Sequence, residues 1–215
     1  MIEALLWDLD GTILDTSDLI FNSYRFAFEK ILKKNVSDDE TLQHFGKPLE
    51  HVMISYSSDR SRELVEAYRE YNLSNHDSSV HPFPGIRDTL SNLQRQRFRQ
   101  VVVTSKTVQL ASWGLELFDL KQYIETVIGL ESTDMHKPSP EPALEALKWL
   151  RMQPNNVLFV GDSETDYKCA HSAGIAFIAA MWGPNPGRMS EIDADFKIED
   201  PRDLLHIVPQ RKPLR

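Results

Sequence analysis

Apolar and polar positions change texture twice along this chain. Ile2 to Leu9 is nearly all apolar and reads as a strand. Between about 16 and 80 no such run occurs. Instead Leu19/Ile20, Tyr24, Ala27/Phe28 and Ile31/Leu32 recur every three to four residues, which predicts a helix with one apolar face. Asp15, Thr16 or Ser17 is placed to cap its start. Leu64/Val65, Ala67/Tyr68 and Tyr71 repeat the spacing with Arg and Glu opposite, so this aromatic stripe reads as the core of a helical bundle. The polar segment Ser74 to Ser79 and the stiff His81-Pro82-Phe83-Pro84-Gly85 then predict a linker and a boundary.

From Ile86 onward short apolar runs alternate with helical stretches. Helices are predicted near 86–96, 107–118, 140–150 and 164–173, and strands at 101–103, 126–128, 157–160 and 175–178. That alternation is what a parallel sheet covered on both faces produces. The first strand has nothing else to pair with and must join it. The predicted fold class is therefore α/β: a doubly wound, Rossmann-like parallel sheet formed by 1–15 and 81–215, with an α-helical insertion at 16–80. The crossing points, about 11–16 and 80–85, should lie side by side and form a hinge. The Pro-rich tail after Val208 is expected to be loosely held.

Composition narrows the classes. A chain of 215 residues that is 41% hydrophobic is long enough for one sizeable core and too apolar for disorder. Its net charge of −8 argues against nucleic acid as a partner. The Arg95-Gln96-Arg97-Phe98-Arg99 cluster is the exception, and reads as a solvated helix end and loop. No apolar run reaches the ~18 residues of a membrane span, and no charged leader precedes the first strand, so a soluble, cytoplasmic protein is expected. The lone Cys169 forms no internal disulfide and reads as a packing residue.

Polar residues gather where the predicted strands end, which is where open parallel sheets bind ligands. After the first strand come Asp8 and Asp10, two apart and therefore on one side of an extended chain, followed by Gly11. At about 4 Å and an effective dielectric near 20, two such carboxylates repel by roughly 4 kcal/mol, so the pair calls for a shared proton or a cation. Thr104 and Ser105 follow the second run, and Gly161, Asp162, Ser163 and Asp166 the fourth. Lys137, before a predicted helix, can supply the fixed cation that an anion site built from carboxylates needs.

Asp8-Leu9-Asp10-Gly11-Thr12, Thr104, Lys137-Pro138 and Gly161-Asp162-Ser163-Glu164-Thr165-Asp166, in that order, resemble the four motifs of the haloacid dehalogenase superfamily of phosphohydrolases. The helical insertion after the first motif resembles the cap of the subgroup holding phosphoglycolate phosphatases, pyrophosphatases and β-phosphoglucomutases. The resemblance implies a phosphatase acting on a small phosphorylated metabolite, phosphoglycolate or pyrophosphate first. Asp8 would be the nucleophile and Asp10 the acid and base. Mg2+ would be held by Asp8, the Asp10 carbonyl and Asp162, with Asp166 orienting the site. Thr104 and the Ser105 amide would hold phosphoryl oxygens, Lys137 would balance charge, and Gly11 would permit close backbone approach. Lys47, in a stretch resembling the cap loop, either meets a distal anion of the substrate or is a solvated lysine. Lys106, His136 and His44 carry no firm role. A phosphosugar mutase and a non-catalytic phospho-ligand-binding protein are the alternative readings. A receiver domain is disfavoured, because it is shorter and lacks the insertion.

Overall fold

The computed structural model describes residues 1–208, so the Pro-rich tail lies outside the described residues. The chain opens with strand β1 (Ala4–Trp7) and turns into the two-residue strand β2 (Leu14–Asp15). Four helices follow: α1 (Ser17–Leu32), α2 (Asp38–Leu42), α3 (Leu49–Tyr56) and α4 (Ser61–Ser79). Strand β3 (His81–Pro82) brings the chain back. Alternation then begins with α5 (Ile86–Arg95), β4 (Arg99–Val103), α6 (Val108–Leu117) and β5 (Thr126–Ile128). It continues through α7 (Glu141–Leu150), β6 (Val157–Gly161), α8 (Glu164–Ser172) and β7 (Ala176–Ala180). Short elements α9 (Pro186–Ser190), β8 (Phe196–Ile198) and α10 (Leu204–Ile207) finish it.

Six strands form one sheet in the order β5-β4-β1-β6-β7-β8, every neighbouring pair parallel. Period-two alternation explains how both faces are buried. Leu5, Trp7, Val102, Leu158 and Val160 join Leu90, Leu93, Ala111 and Leu115 of α5 and α6 on one side. Ala4, Leu6, Val101, Val103, Val157 and Phe159 meet Ala143, Leu147, Cys169 and Ala170 of α7 and α8 on the other. The helical insertion has a core of its own, including Tyr24, Phe28, Val52, Met53 and Leu64.

Two local expectations need correction. Residues 74–79 are not a linker but the last turns of α4, because the buried His76 extends its apolar face that far. The boundary is instead a two-stranded ribbon in which β2 and β3 pair antiparallel, Leu14 with Pro82 and Asp15 with His81. The crossing points therefore do lie side by side. Of the three candidate caps of α1, Asp15 serves, accepting from the Ser17 amide at 3.1 Å, while Thr16 at the N-cap position turns its hydroxyl to Asp10. Arg99 is not in a loop: it opens β4, bonds Glu125 and lies over the Trp149 ring.

Candidate active site

β1 runs between β4, which the chain reaches next within the sheet, and β6, which it reaches only after crossing back. A crevice opens at such a reversal, just beyond the carboxyl ends of the strands. Asp8 sits there, one residue past β1, with its amide donating to the carbonyl of Val160 at 2.9 Å.

Around it gather three buried carboxylates, Asp8, Asp162 and Asp166, with one oxygen of each lying within 4.8 Å of the others. Lys137, 2% exposed, donates to Asp8 Oδ1 at 2.5 Å, to Asp166 Oδ1 at 2.6 Å and to the Val103 carbonyl at 3.3 Å. Three acids against one ammonium leave two negative charges unbalanced when all are ionised. Burial first, then the neighbouring Asp166 and Asp10, push Asp8 up to about 7 in spite of its contact with Lys137. Burial and the charges of Asp8 and Asp166 likewise hold Asp162 well above the usual carboxylate range. Burial alone would lower Lys137, but Asp166 and Asp8 outweigh it and hold the ammonium firmly charged. A divalent cation cancels that surplus. The all-oxygen donor set is the kind that hard cations such as Mg2+ take.

Close backbone packing brings these groups together. Gly11 has φ +84°, and a Cβ there would stand 2.2 Å from Asp162 Oδ2. The missing side chain lets the backbone pack directly against Asp162. At Gly183 a Cβ would stand 2.6 Å from the Asp162 Cβ. Thr12 donates to Asp162 Oδ1 at 3.2 Å, and the Trp182 indole ties down the Thr12 carbonyl at 2.9 Å. Ser163 caps α8 in a reciprocal box: its amide and hydroxyl donate to Asp166 Oδ2 at 3.1 and 2.5 Å. That fixes Asp166 for Lys137.

Asp10 is more open. Its Oδ1 accepts from Thr16 at 2.8 Å and from the Lys106 ammonium. Asp8, Asp10, Thr104, Ser105 and Lys106 line one end of a cavity of about 570 Å³ between the sheet and the insertion. Thr104 is buried, and its hydroxyl accepts from the Lys106 amide at 3.2 Å. The loop between α2 and α3 closes over this end: Ser105 donates to the Gly46 carbonyl at 2.8 Å, and a Cβ on Gly46 would stand 2.4 Å from Thr165 Oγ1. Next in that loop, Lys47 is exposed, lines the cavity and pairs with no carboxylate among the described residues.

All the residues singled out in the four motifs thus meet in one place, and Lys47 reaches the same cavity. Lys106 emerges as the partner of Asp10, a role foreshadowed only by its position two residues after Thr104. His44 bonds Tyr56 at 2.7 Å within the insertion, and His136 lies against His51. Cys169 is buried, which pushes its thiol up to about 11 and suits packing rather than reaction. Tyr24 and Tyr68 line the cavity as well as packing in the bundle, which the stripe alone did not distinguish. No described helix is long and apolar enough to cross a membrane.

Comparison with known proteins agrees with this geometry. Along 96% of its length the chain is 38% identical to a Caldanaerobacter subterraneus protein provisionally named pyrophosphatase PpaX, covering 94% of that protein. It is 31% identical to pyrophosphatase PpaX of Oceanobacillus iheyensis, with 96% and 97% of the two chains covered. A Lactobacillus plantarum crystal structure, provisionally described as a phosphoglycolate phosphatase, superposes with a TM-score of 0.88 at 24% identity, covering 97% of this chain and all of that one; the likeness is one of fold. Residues 5–180, which include every motif above, match the haloacid dehalogenase-like hydrolases, and this chain belongs to that family.

Proposed function

We propose that this hydrolase is a Mg2+-dependent phosphatase of small phosphorylated compounds, working through an aspartyl-phosphate, with pyrophosphate its first substrate and phosphoglycolate its second. One observation carries the reading: Asp8, Asp162 and Asp166 against Lys137 leave two negative charges unbalanced at the end of a cavity that also presents Thr104, Ser105 and Lys47. The names of the pyrophosphatase relatives rank the substrates.

Asp8, the Asp10 carbonyl and Asp162 would hold the magnesium ion, with Asp166 orienting the site. Bound there, it would neutralise the carboxylates and draw charge from the phosphoryl oxygens. Asp8 in its ionised form attacks phosphorus with one carboxylate oxygen. The bond from phosphorus to the leaving oxygen breaks, and Asp10 gives that oxygen its proton. Water then attacks phosphorus and loses a proton to Asp10, which restores Asp8 and releases phosphate. Splitting one slow hydrolysis into two displacements is the gain of a carboxylate nucleophile. Lys137 balances charge beside Asp8, and Thr104 and the Ser105 amide hold the phosphoryl oxygens, fixed cations and donors being worth most where water is excluded. Lys106 keeps the Asp10 carboxylate aimed into the cavity. Lys47 meets the second phosphate of pyrophosphate or the carboxylate of phosphoglycolate. Helices α1–α4, residues 16–80, act as a cap over a core of 1–15 and 81 onward.

Phosphate release tests this, measured with Mg2+ on pyrophosphate, phosphoglycolate, nucleoside monophosphates and sugar phosphates side by side. Turnover of pyrophosphate that EDTA abolishes is the expected result. No turnover of any compound overturns the reading, and an isomerised phosphosugar with little free phosphate replaces it with a mutase.

A further inference from the structure

Pyrophosphate leaves most of the cavity unused. Its nine non-hydrogen atoms, allotted about 30 Å³ each as a water is in the liquid, take about 270 Å³, under half of the roughly 570 Å³ present. The wall beyond Asp10 is also wrong for a polyanion. Arg69 is engaged by Glu50 and Lys106 by Asp10, so Lys47 is the one lining cation without a carboxylate partner among the described residues.

Aromatic side chains fill that wall. Tyr24 of α1 and Tyr68 of α4 meet edge to face, centroids 5.1 Å apart, and both line the cavity. Across from the insertion, Trp113 of α6 lines it too, stacked on the buried His76 at 4.3 Å. Rings held by packing lose little freedom when they take up a flat partner, and they stack or meet it edge-on.

We propose that these three rings form an aromatic subsite, so that the protein also takes phosphate monoesters whose alcohol carries a flat apolar body. The phosphate sits at Asp8 and the ring lies among Trp113, Tyr24 and Tyr68. The chemistry is the hydrolysis described above: the phosphorus–oxygen ester bond breaks, and the alcohol leaves with the proton of Asp10. The substrate range rests on the phosphatase reading, whereas the subsite itself does not.

Non-hydrolysable phosphonates separate the two. Calorimetry with Mg2+ present compares 2-phenylethylphosphonate with ethylphosphonate, which share a head group and differ by the ring. The wild-type protein is expected to bind the first at least about tenfold more tightly. In Trp113→Ala the preference should fall below about threefold. Trp113→Leu, which keeps apolar bulk without a ring face, repeats the test should the alanine variant not fold. Equal affinities in the wild type, or a preference undiminished in both variants, overturn the subsite. Phosphate release from 2-phenylethyl and ethyl phosphate, whose alcohols are of similar acidity, completes the test. Turnover of the two at equal kcat/KM overturns the ester specificity. Selective phosphonate binding without turnover of any phosphate overturns the phosphatase reading and leaves the subsite standing.

Discussion

The two ends of the cavity are built differently. At the sheet end Asp8, Asp162, Asp166 and Lys137 are at most 5% exposed, and glycines 11, 161 and 183 are packed so closely against these acids that no Cβ fits. At the helical end the walls are rings, Tyr24 buried and Tyr68 and Trp113 partly so, around a volume larger than the head group needs. The first end fixes atoms; the second leaves room. On the function proposed above, reaction geometry is set by backbone contact and buried charge, and choice of substrate by side chains that can change without disturbing it.

The largest break in that contrast is expected from Asp8→Asn, which removes the nucleophile while keeping the shape. Phosphate release should fall by about 10⁴-fold or more, and a variant that retains full activity would exclude Asp8 from the chemistry. Next comes Lys137→Met. It leaves three buried acids without their ammonium, so urea denaturation in EDTA at pH 8 should show a loss of about 3–5 kcal/mol. Repeating the measurement at pH 5, where Asp8 is protonated, should recover part of it. Unchanged stability at both pH values would contradict the charge balance inferred for the cluster.

Magnesium gives a third, smaller effect. The folded-state pKa of Asp8 is raised, from 3.8 to about 7. Its contribution to stability is therefore fully present below about pH 4 and is lost as pH rises through about 7. Asp162 shifts in the same direction. Because a metal takes the ionised carboxylates, the rise in Tm on adding Mg2+ should be several degrees at pH 8 and much smaller at pH 5. A rise that is equal at both, or greater in acid, would contradict this assignment of the shift.

The smallest effect belongs to the α2–α3 loop that closes over the sheet end. Lys47→Ala should raise KM for pyrophosphate about tenfold with kcat changed less than about threefold, as expected when uniform binding is lost. A fall in kcat with KM unchanged would move Lys47 into the reaction itself.

This contrast also governs how much was legible in advance. The sheet, its four covering helices and the motif residues could be read because short apolar runs stop at polar residues, and each run is a strand buried on both faces. Asp8 and Asp162 followed from where those runs ended, and Lys137 from its place before a predicted helix. The β2–β3 ribbon was not visible, since two residues paired with a proline-containing partner leave no periodic trace. β8 and α10 are too short for one. Lys106 shows its role only once Asp10 stands beside it in space. Tyr24 and Tyr68 obey the spacing of a packed helix face, and periodicity does not reveal that such a face also borders a void.

The pairing of Leu14 with Pro82 and Asp15 with His81 has a consequence for how this molecule can vary. Residues 16–80 leave and re-enter at one stitched point, so the sheet sees them as a short hairpin whatever lies beyond. Loop-closure entropy grows only as the logarithm of length, about 0.6 kcal/mol for each doubling, and the stitch is the same for any excursion. Helices can be lengthened, lost or exchanged outside it while the strands that carry Asp8 and Asp162 keep their register.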